Sequence, residues 1–390
     1  MLTTAKTGNR TGARLAAVLL AAAALAGGTG PAFANGGDGA AAGRPDAVDR
    51  AAVQRALDEA VAEGVPGLVA EVRDGRGTWR TAAGVADLAD GRGARAGDRF
   101  RIGSVTKTFV ATVVLQLVAE GGIGLDDPIE RELPGLVPNG RNITVRQLLS
   151  HTSGLADFLT KLLAEPDPLR SAQKATYTPR DLVAISAELG PKFAPGTSWA
   201  YSNTNYVVLG LLVEHVTGHR LDQEITRRIV RPLHLGETSF PTTAELSGPH
   251  LHGYEWADGP TAPPADLTTF NPNAIWGSGT MISTADDLNR FYRALFDGRL
   301  LPAELLEEMR TAHPVDDDRG YGLGLESRTY CADGTAAWGH SGSIAGYETF
   351  SFTTGDGKRQ ITFSLNRNLT ASPKVNDTIT RVLTLGLCTR

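Results

Sequence analysis

Cysteine is scarce in this chain, with 2 residues in 390, and this scarcity excludes a small fold held together by several disulfides. Collagen-like and disordered chains are excluded as well, because only 45 residues are Gly and 41% are hydrophobic. No run of Lys and Arg is interleaved with aromatic residues, so we do not expect nucleic acid as a partner. The formal net charge is −5, and the length suits one large fold or two closely joined domains.

The N-terminus has the features of a secretory signal peptide. Three basic residues precede an unbroken run of Leu, Ala and Val at 15–25, and Ala-Phe-Ala at 32–34 matches a cleavage site. We therefore predict a signal peptide at 1–34, cleavage after Ala34 and a secreted protein. An uncleaved anchor is the alternative, but the apolar run is short for a bilayer, and no second apolar stretch of about 18 residues follows to hold the mature chain in a membrane. The basic residues are Lys6, Arg10 and Arg14.

The two cysteines, Cys331 and Cys388, are predicted to form a disulfide. Export would place them in an oxidising compartment, where such bonds persist. A bond between them would tie the C-terminus to the body of the fold. Two buried free thiols are the alternative.

The apolar pattern predicts secondary structure along the whole mature chain. Near the N-terminus it predicts a helix at 48–63, followed by strands at 68–73 and 77–85 around an Asp-Gly turn. A strongly apolar helix is predicted to start at Ser104 and to end before Gly121. The other predicted helices are 144–150, 179–189, 206–216, 221–229 and 373–387, and the other predicted strands are 335–340, 347–353 and 360–365.

This order of elements predicts an α+β fold. The economical arrangement is one antiparallel sheet formed from both chain ends and flanked by terminal helices, beside a mainly helical middle region. We assign a domain at 47–390, with a sheet subdomain at about 47–103 and 318–390 and a helical subdomain at about 104–317. Residues 35–46 are rich in Gly and Ala and are expected to be a disordered linker. A functional site is expected at the seam between the subdomains.

Two common hydrolase signatures are absent from the sequence. A G-x-S-x-G nucleophile elbow does not occur, because the nearest match at 339–343 fails at its last position. H-E-x-x-H does not occur either, and Gly218 ends the predicted helix between His215 and His219. We therefore expect neither an α/β-hydrolase elbow nor a metal site.

The pattern S-x-x-K occurs twice, and the surrounding sequence separates the two copies. Ser104 and Lys107 open an apolar helix, whereas Ser171 and Lys174 lie in a polar stretch. Residues three apart at a helix start share a face, so the Lys107 amine would lie beside the Ser104 hydroxyl. Burial would lower the pKa of the amine, and a neutral amine can take the serine proton. The alternative is an ordinary N-cap serine with a lysine that reaches solvent.

A second candidate segment contains Tyr201 and Asn203 on a predicted loop. The phenol could relay a proton, and the amide could bind a substrate carbonyl. By itself the segment is better explained by the alternative, a buried tyrosine and a turn-forming asparagine.

A third candidate segment contains His340 on a predicted strand. Gly342 would let a substrate backbone approach that strand closely. The N–H of Ser343, together with that of Ser104, could form an oxyanion hole. The alternative is a histidine at a strand end beside a glycine bulge.

Together the three segments resemble the motifs of the penicillin-recognising serine enzymes. The resemblance is strongest to secreted serine D-alanyl-D-alanine carboxypeptidases of actinomycetes, which are relatives of class C β-lactamases. Flanking sequence is similar too, including LLSHTSGL at 148–155 and YGLGL at 321–325, and the likeness covers essentially the whole mature chain. The matching motifs are Ser104-Val105-Thr106-Lys107, Tyr201-Ser202-Asn203 and His340-Ser341-Gly342.

The resemblance implies a β-lactamase/transpeptidase-like fold and a role for each motif residue. Ser104 would attack the carbonyl group before a terminal D-Ala, while Lys107 and Tyr201 would move protons. Asn203 would hold the substrate amide, and His340 would take the place of a lysine found in the related β-lactamases. Substrate-binding positions are further expected at Ser341, Gly342 and Ser343.

The expected function is that of an exported D-Ala-D-Ala carboxypeptidase or transpeptidase. Such an enzyme would act on cell-wall peptides through an acyl-enzyme, would be acylated by β-lactams and would need no cofactor. We expect a monomer without a membrane anchor. The alternatives are a β-lactamase, an esterase or a D-amino-acid amidase on the same scaffold, and a binding protein without catalytic activity.

Two departures from the carboxypeptidase pattern bear on the substrate. The third motif reads His-Thr-Gly-Thr in the relatives, whereas Ser341 and Ser343 replace both threonines here. Such carboxypeptidases also place an arginine directly after YGLGL to receive the terminal carboxylate, and Glu326 occupies that position here. Arg328 could substitute for it if its side chain lies on the matching face of the strand. A carboxylate that faces another carboxylate would weaken binding.

Overall fold

The computed structural model describes residues 47–165, 167–174, 176–256, 262–368 and 373–388. The predicted signal peptide at 1–34 and the predicted linker at 35–46 lie outside the described residues.

Helices and strands begin and end at local signals in the sequence. The first helix follows Asp49, whose side chain accepts a hydrogen bond from the Ala52 N–H. The helices are α1 Arg50–Ala62, α2 Thr106–Ala119, α3 Ile129–Glu132, α4 Val145–Leu149, α5 Leu159–Leu162, α6 Pro168–Lys174, α7 Pro179–Leu189, α8 Asn203–Thr217, α9 Leu221–Ile225, α10 Ala285–Phe296, α11 Ala303–Arg310 and α12 Pro373–Leu387. The strands are β1 Gly67–Asp74, β2 Gly77–Gly84, β3 Phe100–Arg101, β4 Tyr254–Glu255, β5 Ala265–Asp266, β6 Ile282–Ser283, β7 His313–Pro314, β8 Arg319–Tyr321, β9 Glu326–Thr329, β10 Ala336–Ile344, β11 Tyr347–Thr354 and β12 Gln360–Leu365.

The main sheet is antiparallel and draws its strands from both ends of the chain. Its order is β2-β1-β12-β11-β10-β9-β8-β7. β1 from the N-terminal part pairs with β12 from the C-terminal part, so that Leu68 lies opposite Leu365. This arrangement confirms the predicted α+β fold class.

The terminal helices α1 and α12 cover one face of this sheet. Leu68, Ala70 and Val72 of β1 belong to the apolar cluster beneath these helices, whereas Val69 belongs to the cluster on the opposite face. This alternation follows from the strand geometry, in which successive side chains point to opposite faces. Burial of each large aliphatic side chain contributes about 1.5–3 kcal/mol to folding stability, so apolar packing stabilises β1 on both of its faces.

Helices α2 and α10 lie against the other face of the sheet. Most side chains of α2 are buried, because it packs on the sheet and on α8 and is apolar on nearly all sides. On α10, the Asn289 amide donates to Glu71 Oε1 at 3.0 Å and accepts from the Thr362 hydroxyl at 2.8 Å. These polar contacts fix α10 to the centre of the sheet. Helix α2, which follows Ser104, is enclosed between the sheet and α8.

A disulfide joins Cys331, after β9, to Cys388, after α12, with the two Cα atoms 5.3 Å apart. It fastens the last helix to the sheet. In the part of the chain that the structure describes, each helix is too short or too polar to cross a bilayer.

Candidate active site

Ser104 lies in a single 3₁₀ turn, Gly103–Val105, directly before α2. The sequence predicts that the α-helix starts at Ser104, but it starts at Thr106. The turn is tight because Gly103 has φ 51°, a left-handed conformation that side chains disfavour. One turn further along, Lys107 is fully buried.

The amine of Lys107 contacts three oxygen atoms. Its Nζ lies 3.0 Å from Ser104 Oγ, 2.8 Å from Asn203 Oδ1 and 2.6 Å from the Ser278 carbonyl oxygen. Burial lowers the pKa of Lys107 to about 7, although nearby carboxylates oppose the shift. A neutral amine can donate to Asn203 and Ser278 and keep its lone pair for the proton of Ser104.

Tyr201 and Asn203 reach the same point from the segment before α8. The sequence predicts a loop for both residues, but Asn203 is the first residue of α8 and Ser202 is its N-cap. Lys107 Nζ lies 4.9 Å from the centroid of the Tyr201 ring. Burial raises the pKa of Tyr201 well above its ordinary value, and the Ser104 hydroxyl opposes this shift without forming a hydrogen bond of normal geometry. Burial thus favours a neutral amine at Lys107 and a protonated phenol at Tyr201.

The third motif lies on β10, which packs directly on the turn that carries Ser104. A Cβ atom on Gly342 would lie 2.0 Å from the Ile102 carbonyl oxygen and 3.1 Å from Ser104 N, and one on Gly103 would lie 2.9 Å from Ser343 N. Contact between two backbone segments, and not the approach of a substrate, therefore requires glycine at 342. The same contact places the Ser343 backbone against the turn that carries Ser104, where an oxyanion hole built from their two N–H groups would need it.

His340 and Ser341 lie behind the site and are buried. The Nδ1 atom of His340 is 2.5 Å from the Ser341 carbonyl oxygen, to which it donates, so Nε2 accepts from the Tyr321 hydroxyl at 2.9 Å. Burial lowers the pKa of His340 to about 4, although Glu326 opposes the shift. At neutral pH the imidazole is uncharged, unlike the lysine found at this position in the related β-lactamases.

Glu326 forms a buried ion pair with Arg328 on β9. Its Oε2 lies 3.0 Å from Arg328 Nε and 2.9 Å from Nη2, while its Oε1 accepts from the Ser341 hydroxyl at 2.8 Å. Burial disfavours the charge, but Arg328, His340 and Ser341 together hold the pKa of Glu326 below its ordinary value. The two side chains share one face of the strand, as alternate residues do, and the guanidinium is committed to Glu326.

Two cavities of different size meet at Tyr201. The larger, of about 350 Å³, is bordered by Ser104, Asn203 and Ser343. The smaller, of about 10 Å³, lies between Tyr201 and Tyr321 and reaches Glu326; it has room for about one water molecule. The larger cavity is mainly apolar and is lined by Leu159, Leu162, Leu163, Phe270, Ala274 and Ile275.

Sequence reasoning gave no role to His151, Tyr321 and Asp157, which all belong to this site. The His151 ring centroid lies 4.3 Å from that of Tyr201 and 4.7 Å from that of Tyr321. Asp157 accepts a hydrogen bond from Asn203 Nδ2 at 2.9 Å. The sequence signal that could have identified these residues is their position in the chain. His151 and Tyr321 lie within the LLSHTSGL and YGLGL segments, and Asp157 closely follows the first segment.

The second S-x-x-K copy is not part of this site. Ser171 and Lys174 lie on α6 and are exposed. Among the described residues, no group of three or more His, Cys, Asp or Glu side chains is arranged to hold a metal ion.

Known proteins share this architecture. A model of the family described as Beta-lactamase matches residues 53–385. Penicillin-binding protein 4* of Bacillus subtilis is 28% identical over 299 residues, which are 73% of this chain and 64% of the relative, so the chain spans less than two thirds of that protein. Esterase EstB of Burkholderia gladioli is 32% identical over 343 residues, which are 78% of this chain and 84% of the esterase.

A solved structure is similar over nearly its full length. A D-stereospecific amidohydrolase from Streptomyces sp. superposes with a TM-score of 0.79 at 40% identity, covering 88% of this chain and 99% of that protein. The family match extends over most of the chain, and the structure joins Ser104 to Lys107 beside Tyr201. The chain therefore belongs to the beta-lactamase family of serine hydrolases.

Proposed function

We propose that this enzyme hydrolyses amides and esters of D-amino acids, and that its leaving group carries no carboxylate. The observation that supports this substrate class is the Glu326–Arg328 pair, because Glu326, which borders the smaller cavity, occupies the guanidinium that could otherwise receive a substrate carboxylate. Arg319, which also borders that cavity, is paired with Asp316 at 2.5 Å. The similarity to an amidohydrolase described as D-stereospecific supports the choice of D-amino acids.

The contacts support an acyl-enzyme reaction. Neutral Lys107 takes the proton of Ser104 as the serine oxygen attacks the carbonyl carbon, and the N–H groups of Ser104 and Ser343 stabilise the oxyanion. The bond to the leaving nitrogen or oxygen then breaks, and the leaving group receives the proton from Lys107. Water attacks the resulting ester at Ser104, with Lys107 again as the base, and releases the acid and the free serine.

The two cavities suggest how such a substrate would bind. The apolar cavity of about 350 Å³ suits an apolar D-amino-acid side chain. The cavity of about 10 Å³ beside Glu326 has room for about one water molecule, so it offers no space for a leaving group that carries a carboxylate.

The D-Ala-D-Ala carboxypeptidase or transpeptidase activity is the second candidate. The similarity to penicillin-binding proteins supports it, as do the three motifs. On either proposal the enzyme is exported after cleavage at Ala34, works as a monomer without a cofactor and is acylated by β-lactams; cell-wall peptides are its partners only on the second.

Three substrates separate the two candidates. Ammonia release from D-phenylalanine amide and from L-phenylalanine amide is compared with D-Ala release from diacetyl-L-Lys-D-Ala-D-Ala. We expect kcat/KM for the D-amide to exceed that for the peptide by about tenfold or more, since a tenfold ratio needs only about 1.4 kcal/mol. A peptide that is cleaved as fast as the D-amide would contradict the first proposal, and a Ser104→Ala variant must be inactive on both.

A Glu326→Gln variant tests the argument from charge. It would remove the negative charge that neutralises the Arg328 guanidinium and that repels a substrate carboxylate, so the ratio of peptide to D-amide turnover should rise. Glu224→Gln is the matched control, because Glu224 is also buried and pairs with Arg228 at 2.6 Å, but on α9. An unchanged ratio in folded Glu326→Gln would count against the assigned role of Glu326.

A further inference from the structure

We propose that Asp157 is a positioning residue for the acylation step: its carboxylate fixes the orientation of the Asn203 side-chain amide and, through it, the position of the Lys107 amine. The inference rests on the acyl-serine reaction of the proposed function, but not on the identity of its substrate.

Asp157 is a buried acceptor: burial raises the pKa of its carboxyl group, while hydrogen bonds from Leu159 and Asn203 and the nearby Lys107 amine oppose that shift. Its Oδ2 accepts from Asn203 Nδ2 at 2.9 Å, and its Oδ1 accepts from the Leu159 N–H at 3.1 Å. Both partners are donors, which match a carboxylate without a proton. Asp157 is only 6% exposed, and no Lys, Arg or His of the described residues forms an ion pair with it. Asn203 is therefore its main side-chain partner.

The two contacts of Asn203 allow one orientation of its amide. Nδ2 donates to Asp157 while Oδ1 accepts from Lys107 Nζ at 2.8 Å. A flipped amide would set Oδ1 against the Asp157 carboxylate, which would repel it, and Nδ2 would then compete with the Ser104 proton for the lone pair of the Lys107 amine. Asp157 thus determines which atom Asn203 presents to Lys107, and hence to the proton path from Ser104.

The backbone before Asp157 is itself fixed. The Ala156 carbonyl oxygen accepts hydrogen bonds from three hydroxyl groups that belong to α7, to the N-cap of α8 and to α8. They are Ser186 at 2.6 Å, Ser202 at 3.2 Å and Thr204 at 2.7 Å. The carboxylate is therefore placed by rigid elements, as a positioning group must be.

The charge of Asp157 also acts on Lys107. Negative charge nearby favours the ammonium form, so Asp157 and Glu326 both raise the pKa of Lys107 against the larger effect of burial. Burial lowers the pKa of both His151 and His340, which are therefore neutral at pH 7. The remaining titratable groups near the amine are the phenols of Tyr201 and Tyr206, whose pKa burial raises.

Two variants separate the charge of Asp157 from its role as an acceptor. Asp157→Asn can still present an oxygen atom to Asn203 Nδ2 but has no charge, whereas Asp157→Ala lacks both. Asp287→Asn is the matched control, because Asp287 is buried and accepts from the Thr238 hydroxyl and the Glu237 N–H, but lies on α10. The measurement is kcat/KM for p-nitrophenyl butyrate between pH 5 and 9, since this leaving group needs no proton.

We expect Asp157→Asn to move the acid limb of the pH profile to lower pH by about one unit, because loss of one nearby charge shifts a pKa by about that much or more. Its plateau should stay within about threefold of the wild type. Asp157→Ala should show the same shift together with a plateau lowered by about tenfold or more, since it also loses a charged hydrogen bond. Asp287→Asn should change neither quantity.

Two results would overturn the proposal. One is an acid limb at the wild-type position in both variants, with equal losses in the plateau, which a purely structural role would produce. The other is a loss confined to D-phenylalanine esters with a free amino group, which would make Asp157 a substrate-binding residue. The pH at which the acid limb lies does not depend on how much of each variant folds. Turnover of the butyrate ester also tests Asp157 independently of the proposed substrate, since it can be measured even if the D-amide is not a substrate.

Discussion

The Lys107 amine predicts a pH dependence of activity near neutrality. Burial lowers its pKa to about 7, and in the proposed reaction the active form is the deprotonated amine. The value of kcat/KM should therefore rise with pH, reach half its plateau near pH 7 and fall to about one-tenth of the plateau one unit below, because protonation changes tenfold per unit. A pH profile with a p-nitrophenyl ester measures this limb directly.

A Lys107→Arg variant is the control for that limb. Arginine keeps the positive charge but cannot act as a base at neutral pH, so kcat/KM should fall by about 10²–10⁴-fold, the usual contribution of a general base. If the variant keeps both its rate and the limb near pH 7, another group removes the Ser104 proton.

The motifs predicted which residues come together better than how each is paired. Ser104, Lys107 and Tyr201 lie together, as their motifs predict, while their catalytic roles stay predictions. Arg328 was considered only as a partner for a substrate carboxylate, so its pairing with Glu326 was not predicted. His151 was missed because its ring acts by contact with tyrosines distant in sequence.

At the scale of elements, the contact between β10 and the 3₁₀ turn positions the oxyanion hole. A Gly342→Ala variant would place its Cβ 2.0 Å from the Ile102 carbonyl oxygen and would push the strand away from Ser104. We expect acylation to slow by about 10²–10³-fold, as when one oxyanion donor is lost. Stopped-flow acylation by a p-nitrophenyl ester measures the rate.

The control for this variant is Gly97→Ala, because a Cβ at Gly97 would meet no atom within 4 Å. That variant should acylate at the wild-type rate. A wild-type acylation rate in folded Gly342→Ala, checked by circular dichroism, would show that β10 can shift without disturbing the Ser343 N–H.

Element boundaries were predicted best where a proline or a turn marks them in the sequence. The strand β12 and the helices α7 and α12 have the predicted limits, since Pro or a turn begins each of them. The strand predicted at 335–340 extends to Ile344, because pairing with β11 continues through the small residues of the third motif. The helix predicted at 221–229 changes to a π-helical turn at Thr226–Val230, for which we found no signal in the apolar pattern.

At the scale of the whole molecule, the Cys331–Cys388 disulfide joins positions 57 residues apart. A Cys331→Ser/Cys388→Ser variant should lower the free energy of unfolding by roughly 4 kcal/mol, since the unfolded chain regains the entropy of an open loop. Guanidinium denaturation measures the loss. The bond fastens α12 on the face of the sheet opposite α2, so kcat/KM of the folded variant should be unchanged.

The wild type under reducing conditions is the control for the disulfide variant. It should unfold at the same guanidinium concentration as the double variant. Equal stability of the oxidised wild type and the double variant would mean that the core alone holds the C-terminal helix.

The sequence alone was sufficient for the fold class, and the resemblance of its motifs to a known family was sufficient for the class of serine hydrolase. Hydrophobic periodicity is a local property of the chain, and the three motifs can be recognised by their residues, order and flanking sequence. The tertiary structure alone decided the amide orientation of Asn203, the ion pair at Glu326 and the reason for glycine at 342. The amide orientation and the need for glycine arise from contacts between segments far apart in the chain. The charge of the Glu326–Arg328 pair depends on burial and on neighbouring groups that no local pattern specifies.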